Sequence, residues 1–400
     1  MFERFVARQA ILKDNLTLLG YDLRFRAEAA GASSAPGSSA AFLIDSSTMV
    51  FRWETLVGAG LAFFSFGIQE LLSGAALILP RAKAVIELAG SVPCNAEVIL
   101  AFQDLKAAGY RLSLGEWAGQ KERRPLAVLA DFLRVDFRNL KLADRTETLK
   151  AQRPGKTMLI AQGVDSWEEH RDARALGFRC FQGDFFMRPQ LFRRREVAGT
   201  RLSAMRLLRA ILKDPLDLGQ IENVVRDEPA LTYKLLRYLN SPVMERAVEV
   251  RSIRNAIALL GEKEFRRWAS LVAVVTPATD KTNELLRTGL TRAYFCEQLA
   301  LRCDAAHAYD YFFTGLFSVM DAVLDRPLAE IVGELALAAE VRAALLGESG
   351  DLHDALEAAK AYERGQWTAF KNAMDQLSLP ETCAPECFQT ADLSVNAILH

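Results

Sequence analysis

Apolar positions in the first half of the chain fall mainly in short alternating runs, whereas in the second half they recur every three to four residues. Alternation places successive side chains on opposite faces of a strand, and the longer period builds one face of a helix. Residues 5–12 and 16–25 predict two strands around a Lys13-Asp14-Asn15 turn. Further strands are predicted at 61–66, 84–88, 110–114, 132–137, 158–164 and 179–186. Helices are predicted ahead of residue 56 and over 96–108 and 167–176. Strand and helix in alternation imply parallel strands joined by helical crossovers. Roughly eight strands in this space suggest a closed (β/α) barrel, somewhat compressed for the type. An open doubly wound sheet is the alternative, but no glycine-rich phosphate loop opens any of the helices.

Near residue 192 the strand pattern stops, just after Pro189 and before Arg193-Arg194-Arg195. The pattern divides the chain into a barrel over 1–192, a basic linker over 193–201 and an all-helical domain over 202–400. One helix is predicted to start at Asp227-Glu228-Pro229, with proline suited to the first turn and acids to its positive end. Leu231, Leu235 and Leu239 line one face of it, and Asn240-Ser241-Pro242 stops it. A second starts at Ser252 as N-cap and stops at Gly261. Helical spacing continues through 265–275, 283–301, 310–324 and 352–370.

Composition narrows the class. Four hundred residues exceed one ordinary core, so two or three domains are expected. Half the residues are hydrophobic and the net charge is −1, which fits a soluble globular chain with no global field for nucleic acid. The basic run at 193–195 reads as solvated linker. The most apolar stretch, 56–68, is too short for a membrane helix and runs into Gln69 and Glu70, so no membrane span is expected. The start, MFERFVARQ, lacks the pattern of a secretion signal, and six scattered cysteines fit free thiols in a reducing cytoplasm. Cys383 and Cys387 are close, but no second ligand pair is near enough to make a zinc site. Residues 31–40, GASSAPGSSA, read as a surface loop.

Reacting groups of a parallel barrel sit at the carboxyl ends of its strands. Here those ends present Asp22, Ser65, Glu87, Gly115-Glu116, Arg134, Gln162 with Asp165, and Gln182. The segments VARQAILKDNLTLLGYDLRFR, AFFSFGIQELL, AVIELAG, GYRLSLGEW, FLRVDF, LIAQGVD and FQGDFFMRP resemble the EAL family, from about residue 6 to 192. Members of that family are barrel enzymes that linearise cyclic di-GMP with two divalent metals. The resemblance implies that Asp22-Leu23-Arg24 stands at the Glu-Ala-Leu that names the family, with Arg26 keeping its arginine. Ser65 stands for a metal-binding asparagine, and Glu87 keeps a metal-binding glutamate. Gly115-Glu116 stands for two adjacent aspartates, and Arg134 for the lysine thought to assist the attacking water. Asp136 and Gln182 are kept, Gln162 replaces a metal-binding glutamate, and Asp165 shortens a glutamate that steadies its loop.

Two divalent ions about 4 Å apart need converging oxygen ligands, several of them anionic. Gly115 has no side chain, Gln162 no charge, Ser65 a short reach, and Arg134 a cation that does not exchange its proton. The expectation is therefore no metal, no cofactor and no phosphodiesterase activity. Glu87, Asp136 and Gln182 then either hold each other structurally or, with Arg26, form a residual ligand pocket for a phosphate or a nucleotide edge.

The segments DEPALTYKLLRYLNSP, SIRNAIALLGEKEFRRW, YFFTGLFSVMDAVLDRPL and AYERGQW resemble the HDOD family, helical output domains related to the HD phosphohydrolases but without their metal site. His353-Asp354 is a literal His-Asp pair, yet it lies late in the domain on an ordinary helix, so no metal role is expected of it. Together the two resemblances imply a non-enzymatic signalling protein that contacts protein partners through its HDOD domain and is able to pair with a second copy. The alternatives are a metal-independent cyclic di-GMP sensor and an active phosphodiesterase.

Overall fold

The computed structural model describes residues 4–27, 57–138, 157–190, 199–227, 257–258, 260–275 and 281–399. The loop at 31–40, the basic run at 193–195, the helix predicted from Asp227-Glu228-Pro229 to Asn240 (apart from Asp227 itself) and the N-cap Ser252 lie outside the described residues. The chain packs as two units, one of residues 1–186 with 361–367, the other of residues 187–360 with 368–400.

The first unit is a closed barrel of eight strands in sequence order. They are β1 (Arg4–Lys13), β2 (Leu18–Ala27), β3 (Leu61–Phe66), β4 (Ala84–Leu88), β5 (Arg111–Leu114), β6 (Phe132–Asp136), β7 (Met158–Gln162) and β8 (Cys180–Gln182). Strands β2 to β8 run parallel, but β1 pairs antiparallel with both β2 and β8. The β1–β2 pair is the hairpin that the Lys13-Asp14-Asn15 turn predicts, and the antiparallel pairing of β1 with β8 closes the barrel. A tight turn joins only antiparallel neighbours, and here the Lys13 N–H reaches the Thr17 carbonyl at 2.8 Å while the Asn15 side chain accepts from Thr17. Helices α1 (Ile68–Leu72), α2 (Ala96–Ala107), α3 (Arg124–Leu129) and α4 (Trp167–Ala175) occupy the crossovers. Asn95 caps α2, and α4 opens with a Ser166–Glu169 capping box.

Two predicted strands end early. Gly163 takes φ +77°, which closes β7 at Gln162. Gly183 takes φ +152°, and a Cβ there would lie 2.0 Å from the Val164 carbonyl oxygen, so the chain leaves the sheet after Gln182. Inside the barrel Ile11, Phe63, Val85, Phe132, Ile160 and Cys180 form one apolar layer, with Phe63 edge-on to Phe132 at 5.3 Å.

His170 on α4 is buried and stacks on Phe185 at 4.7 Å. Burial, helped by Arg174, pushes its imidazole down to about 4. A histidine with a lowered folded value binds protons preferentially when unfolded, so its contribution is present above about pH 6.5 and fades as pH falls towards 4. His170→Phe should flatten the loss of barrel stability across that window, measured by urea midpoints at stepped pH.

The second unit is helical throughout its described residues: α5 (Gly199–Ile211), α6 (Leu218–Asp227), α7 (Glu262–Val275), α8 (Asn283–Cys303), α9 (Ala308–Phe317), α10 (Met320–Leu324), α11 (Leu328–Glu334), α12 (Ala339–Leu345), α13 (Asp351–Arg364), α14 (Trp367–Gln376) and α15 (Ala384–Leu399). The last residues of α13 and the first of α14 belong to the first unit by packing. Thr282 caps α8, the longest of these helices, which packs against both α9 and α15. Two predicted helices are broken. The one over 310–324 divides at Ser318-Val319, and the one over 352–370 stops at Gly365, whose φ of +64° is a helix-terminating conformation. No helix among the described residues is long and apolar enough to cross a membrane.

Candidate functional site

Side chains two positions along a strand share a face. Glu87 therefore follows Val85, Arg134 follows Phe132 and Gln182 follows Cys180, one step from the apolar layer towards the carboxyl ends of the strands. On the antiparallel β1 the same step runs backward, from Ile11 to Gln9. The result is a polar layer lying directly on the hydrophobic one.

Arg134 is its centre and is 3% exposed. Its Nη1 donates to Glu87 Oε1 at 2.6 Å and Asp22 Oδ1 at 3.3 Å. Its Nη2 donates to Gln182 Oε1 at 2.6 Å and Asp22 Oδ2 at 3.0 Å. Gln182 Nε2 donates in turn to Gln9 Oε1 at 2.8 Å and Asp22 Oδ2 at 3.1 Å, and Ser113 Oγ donates to Glu87 Oε2 at 2.9 Å. All four terminal N–H groups of the guanidinium thus find acceptors in a water-poor interior, where an unmet one would be costly.

Electrostatics divides the two carboxylates. Burial acts to raise Asp22, but the charges of Arg134 and Arg24, with hydrogen bonds from Arg134 and Gln182, outweigh it and hold the group well below the carboxylate range. Burial also raises Glu87, and there the negative charge of Asp22 adds to it, so the attraction of Arg134 does not bring it back. Arg134 itself is raised, because Asp22 and Glu87 together overcome its own desolvation. One buried cation faces two buried acids.

The other expected site residues lie around this core. Asp136, at the end of β6, accepts from the Arg138 N–H at 3.0 Å, and Asp165 pairs with Arg138 and accepts from the Asp184 N–H at 3.0 Å. Glu116 is exposed and adopts φ +51°. Arg26 belongs to β2, but its side chain lies outside the described residues. Gly115 is buried, and a Cβ there would stand 3.2 Å from the Leu88 carbonyl oxygen and 3.5 Å from Glu87 Oε1.

Sequence reasoning missed Ser113, Gln9 and Arg24. Each lies an even number of residues from a recognised position on its own strand or opposite one in the hairpin, so period-two counting could have found them. Arg24 sits 3.4 Å from Asp22 and donates to the Arg364 carbonyl at 3.0 Å, while Arg364 pairs with Asp184 at 2.9 Å. Arg123 was missed as well. It is buried, and donates to the Gly115 and Ala89 carbonyls at 3.0 and 3.1 Å, tying together the chain beyond β4 and β5.

A pair of divalent metals, the group the EAL resemblance implies, does not fit this arrangement. Its anionic oxygens would have to converge on an ion at about 2.0–2.6 Å, whereas Asp22 and Glu87 converge on the Arg134 guanidinium. No group of three or more His, Cys, Asp or Glu among the described residues could hold a metal ion. His353, in α13, has its Nδ1 3.3 Å from the Ala344 carbonyl oxygen, and His307 pairs with Asp304 at 2.8 Å.

Residues 202–345 match the HDOD domain family. The chain is 29% identical over 382 residues to the cyclic di-GMP phosphodiesterase CdgJ of Vibrio cholerae, covering 92% of this chain and 86% of that one. It is 28% identical over 397 residues to the uncharacterised protein YuxH of Bacillus subtilis, covering 97% of each. Among solved structures, a complex of Klebsiella pneumoniae BlrP1 with calcium and cyclic di-GMP superposes with a TM-score of 0.37 at 17% identity, over 45% of this chain and about half (54%) of that one. An EAL domain protein from Listeria monocytogenes gives 0.37 at 14% identity, over 46% of this chain and 87% of that one. The near full-length similarity to CdgJ corrects the expectation that the chain is not an enzyme, since it points towards the enzymes of this class. That expectation rested on counting lost ligands against a family pattern, which measures distance from the pattern and not activity. A closed eight-stranded barrel thus precedes a segment, residues 202–345, that matches the HDOD domain family, which is the domain order the two resemblances imply.

Proposed function

We propose that this is a cyclic di-GMP pathway protein whose barrel recognises the dinucleotide at the carboxyl ends of its strands, and whose HDOD domain conveys that state to signalling partners. The near full-length similarity to a cyclic di-GMP phosphodiesterase carries the reading. The polar layer supports it, because Asp22, Glu87, Arg134 and Gln182 meet where ligands of parallel barrels are held. Arg26 is the residue proposed to meet a phosphate, since a guanidinium grips two phosphate oxygens without a metal. Glu116, Asp136 and Asp165 complete the rim, and the free thiols among the described residues suit a cytoplasmic setting.

The test is calorimetric titration of the full chain with cyclic di-GMP, with and without magnesium, with chromatography of the mixture for linear dinucleotide. Saturable binding or linear product is expected, and Arg26→Ala should weaken binding about tenfold, near 1.4 kcal/mol. Absence of both heat and product in the unmodified chain would overturn the reading.

A further inference from the structure

The cation at the centre of the polar layer is part of the chain. Arg134 gathers oxygens from three side chains, with Nη1 between Glu87 and Asp22 and Nη2 between Asp22 and Gln182. Two carboxylates and a carboxamide oxygen form the hard donor set that suits magnesium or manganese. The guanidinium lies at hydrogen-bond distance from all three, in the space a shared ion would need, and Leu133 and Val135 beside it on β6 are buried. A metal ion and the guanidinium therefore exclude each other. They also differ in charge: one arginine offsets one of the two acids, whereas a divalent ion would offset both.

We propose that Arg134 is the resident cation of this barrel, filling an oxygen-lined position that would otherwise bind one divalent metal ion, so that the native site is closed to metal at Asp22 and Glu87. Removing the guanidinium leaves Asp22, Glu87 and Gln182 facing one another across a cavity, with Glu87 uncompensated and Asp22 paired only with the half-exposed Arg24 at 3.4 Å. Electrostatics then favours a divalent ion over water. Gly115 contributes no side-chain oxygen, so one ion is expected and not two. The proposal stands whether or not the barrel recognises cyclic di-GMP, because it concerns what neutralises the two acids.

The experiment is a manganese titration of the full chain followed by electron paramagnetic resonance, comparing the native protein with Arg134→Ala. The variant is expected to take up one Mn²⁺ per chain at least about tenfold more tightly than the native protein, and adding Glu87→Gln should abolish the gain. Equal uptake by both proteins would overturn the proposal, as would native uptake that Glu87→Gln removes. Should Arg134→Ala not fold alone, it is refolded with and without manganese. Recovery only with the metal supports the inference, and failure in both conditions, with Arg134→Gln also showing no gain in uptake, overturns it.

Discussion

Arg134→Met should destabilise the barrel by about 3–5 kcal/mol, the usual effect of removing one partner from a buried charge cluster. The loss is set less by the missing bonds than by the two acids left behind in a dry interior. Asp22 and Glu87 are each 6% exposed; without Arg134, Glu87 keeps only the neutral donor Ser113, and Asp22 keeps Gln182 and the half-exposed Arg24. Combining Arg134→Met with Asp22→Asn and Glu87→Gln should therefore recover most of the stability, because an uncharged layer needs no cation. The two backgrounds should also respond oppositely to acid. In the native protein Asp22 is held below its ordinary value of 3.8, so its contribution is present above that pH and is lost as pH falls further. In Arg134→Met the acids lose their cation and burial dominates, so protonation relieves the strain and the gap to the native protein narrows as pH falls. Urea midpoints from pH 8 down to about pH 2 read both effects. A variant as stable as the native protein at pH 8 would show that the cluster is not the organising element described here.

In the helical unit the corresponding weak point is a glycine. A Cβ on Gly315 in α9 would lie 2.5 Å from the backbone C and O of Arg292 in α8 and 2.6 Å from the Ala293 Cα. These are backbone atoms of a well-packed helix, with no flexible end to swing aside. One turn earlier in α8, a Cβ on Gly289 would meet a methyl of Val319, in the link after α9, at 2.6 Å. The two helices can be this close only because α9 carries no side chain at Gly315. Gly315→Val should force them apart and disturb the packing of Phe312, Leu316 and Phe317, all buried. The expected loss is about 3 kcal/mol or more, at the upper end for overpacking. Thermal unfolding followed by far-ultraviolet circular dichroism should show the helical transition falling while barrel contributions are retained. Gly333→Ala is the control, because a Cβ there meets nothing within 4 Å. Similar losses in both variants would refute the close-contact explanation.

Hydrophobic period alone gave the succession of strands in the first part of the chain and of helices in the second. Those features are local: a strand that buries one face must alternate, and a helix that buries one stripe must repeat near 3.6 residues. The same periodicity placed Glu87, Arg134 and Gln182 at equivalent heights. It gave the hairpin of β1 and β2 through the turn at Lys13-Asp14-Asn15, but not that β1 would also pair with β8, because that contact depends on closure of the whole barrel. Nor did it tell that Arg134 would be the hub of the layer. Family comparison cast it as a replaced lysine, and Ser113 and Gln9 had no motif to announce them. Convergence of side chains from β1, β2, β4, β5, β6 and β8 is a property of barrel closure, which brings together residues up to 173 positions apart. A charge is legible from its residue type, but its partner and its ionisation are set by burial and by neighbours that only the tertiary fold supplies.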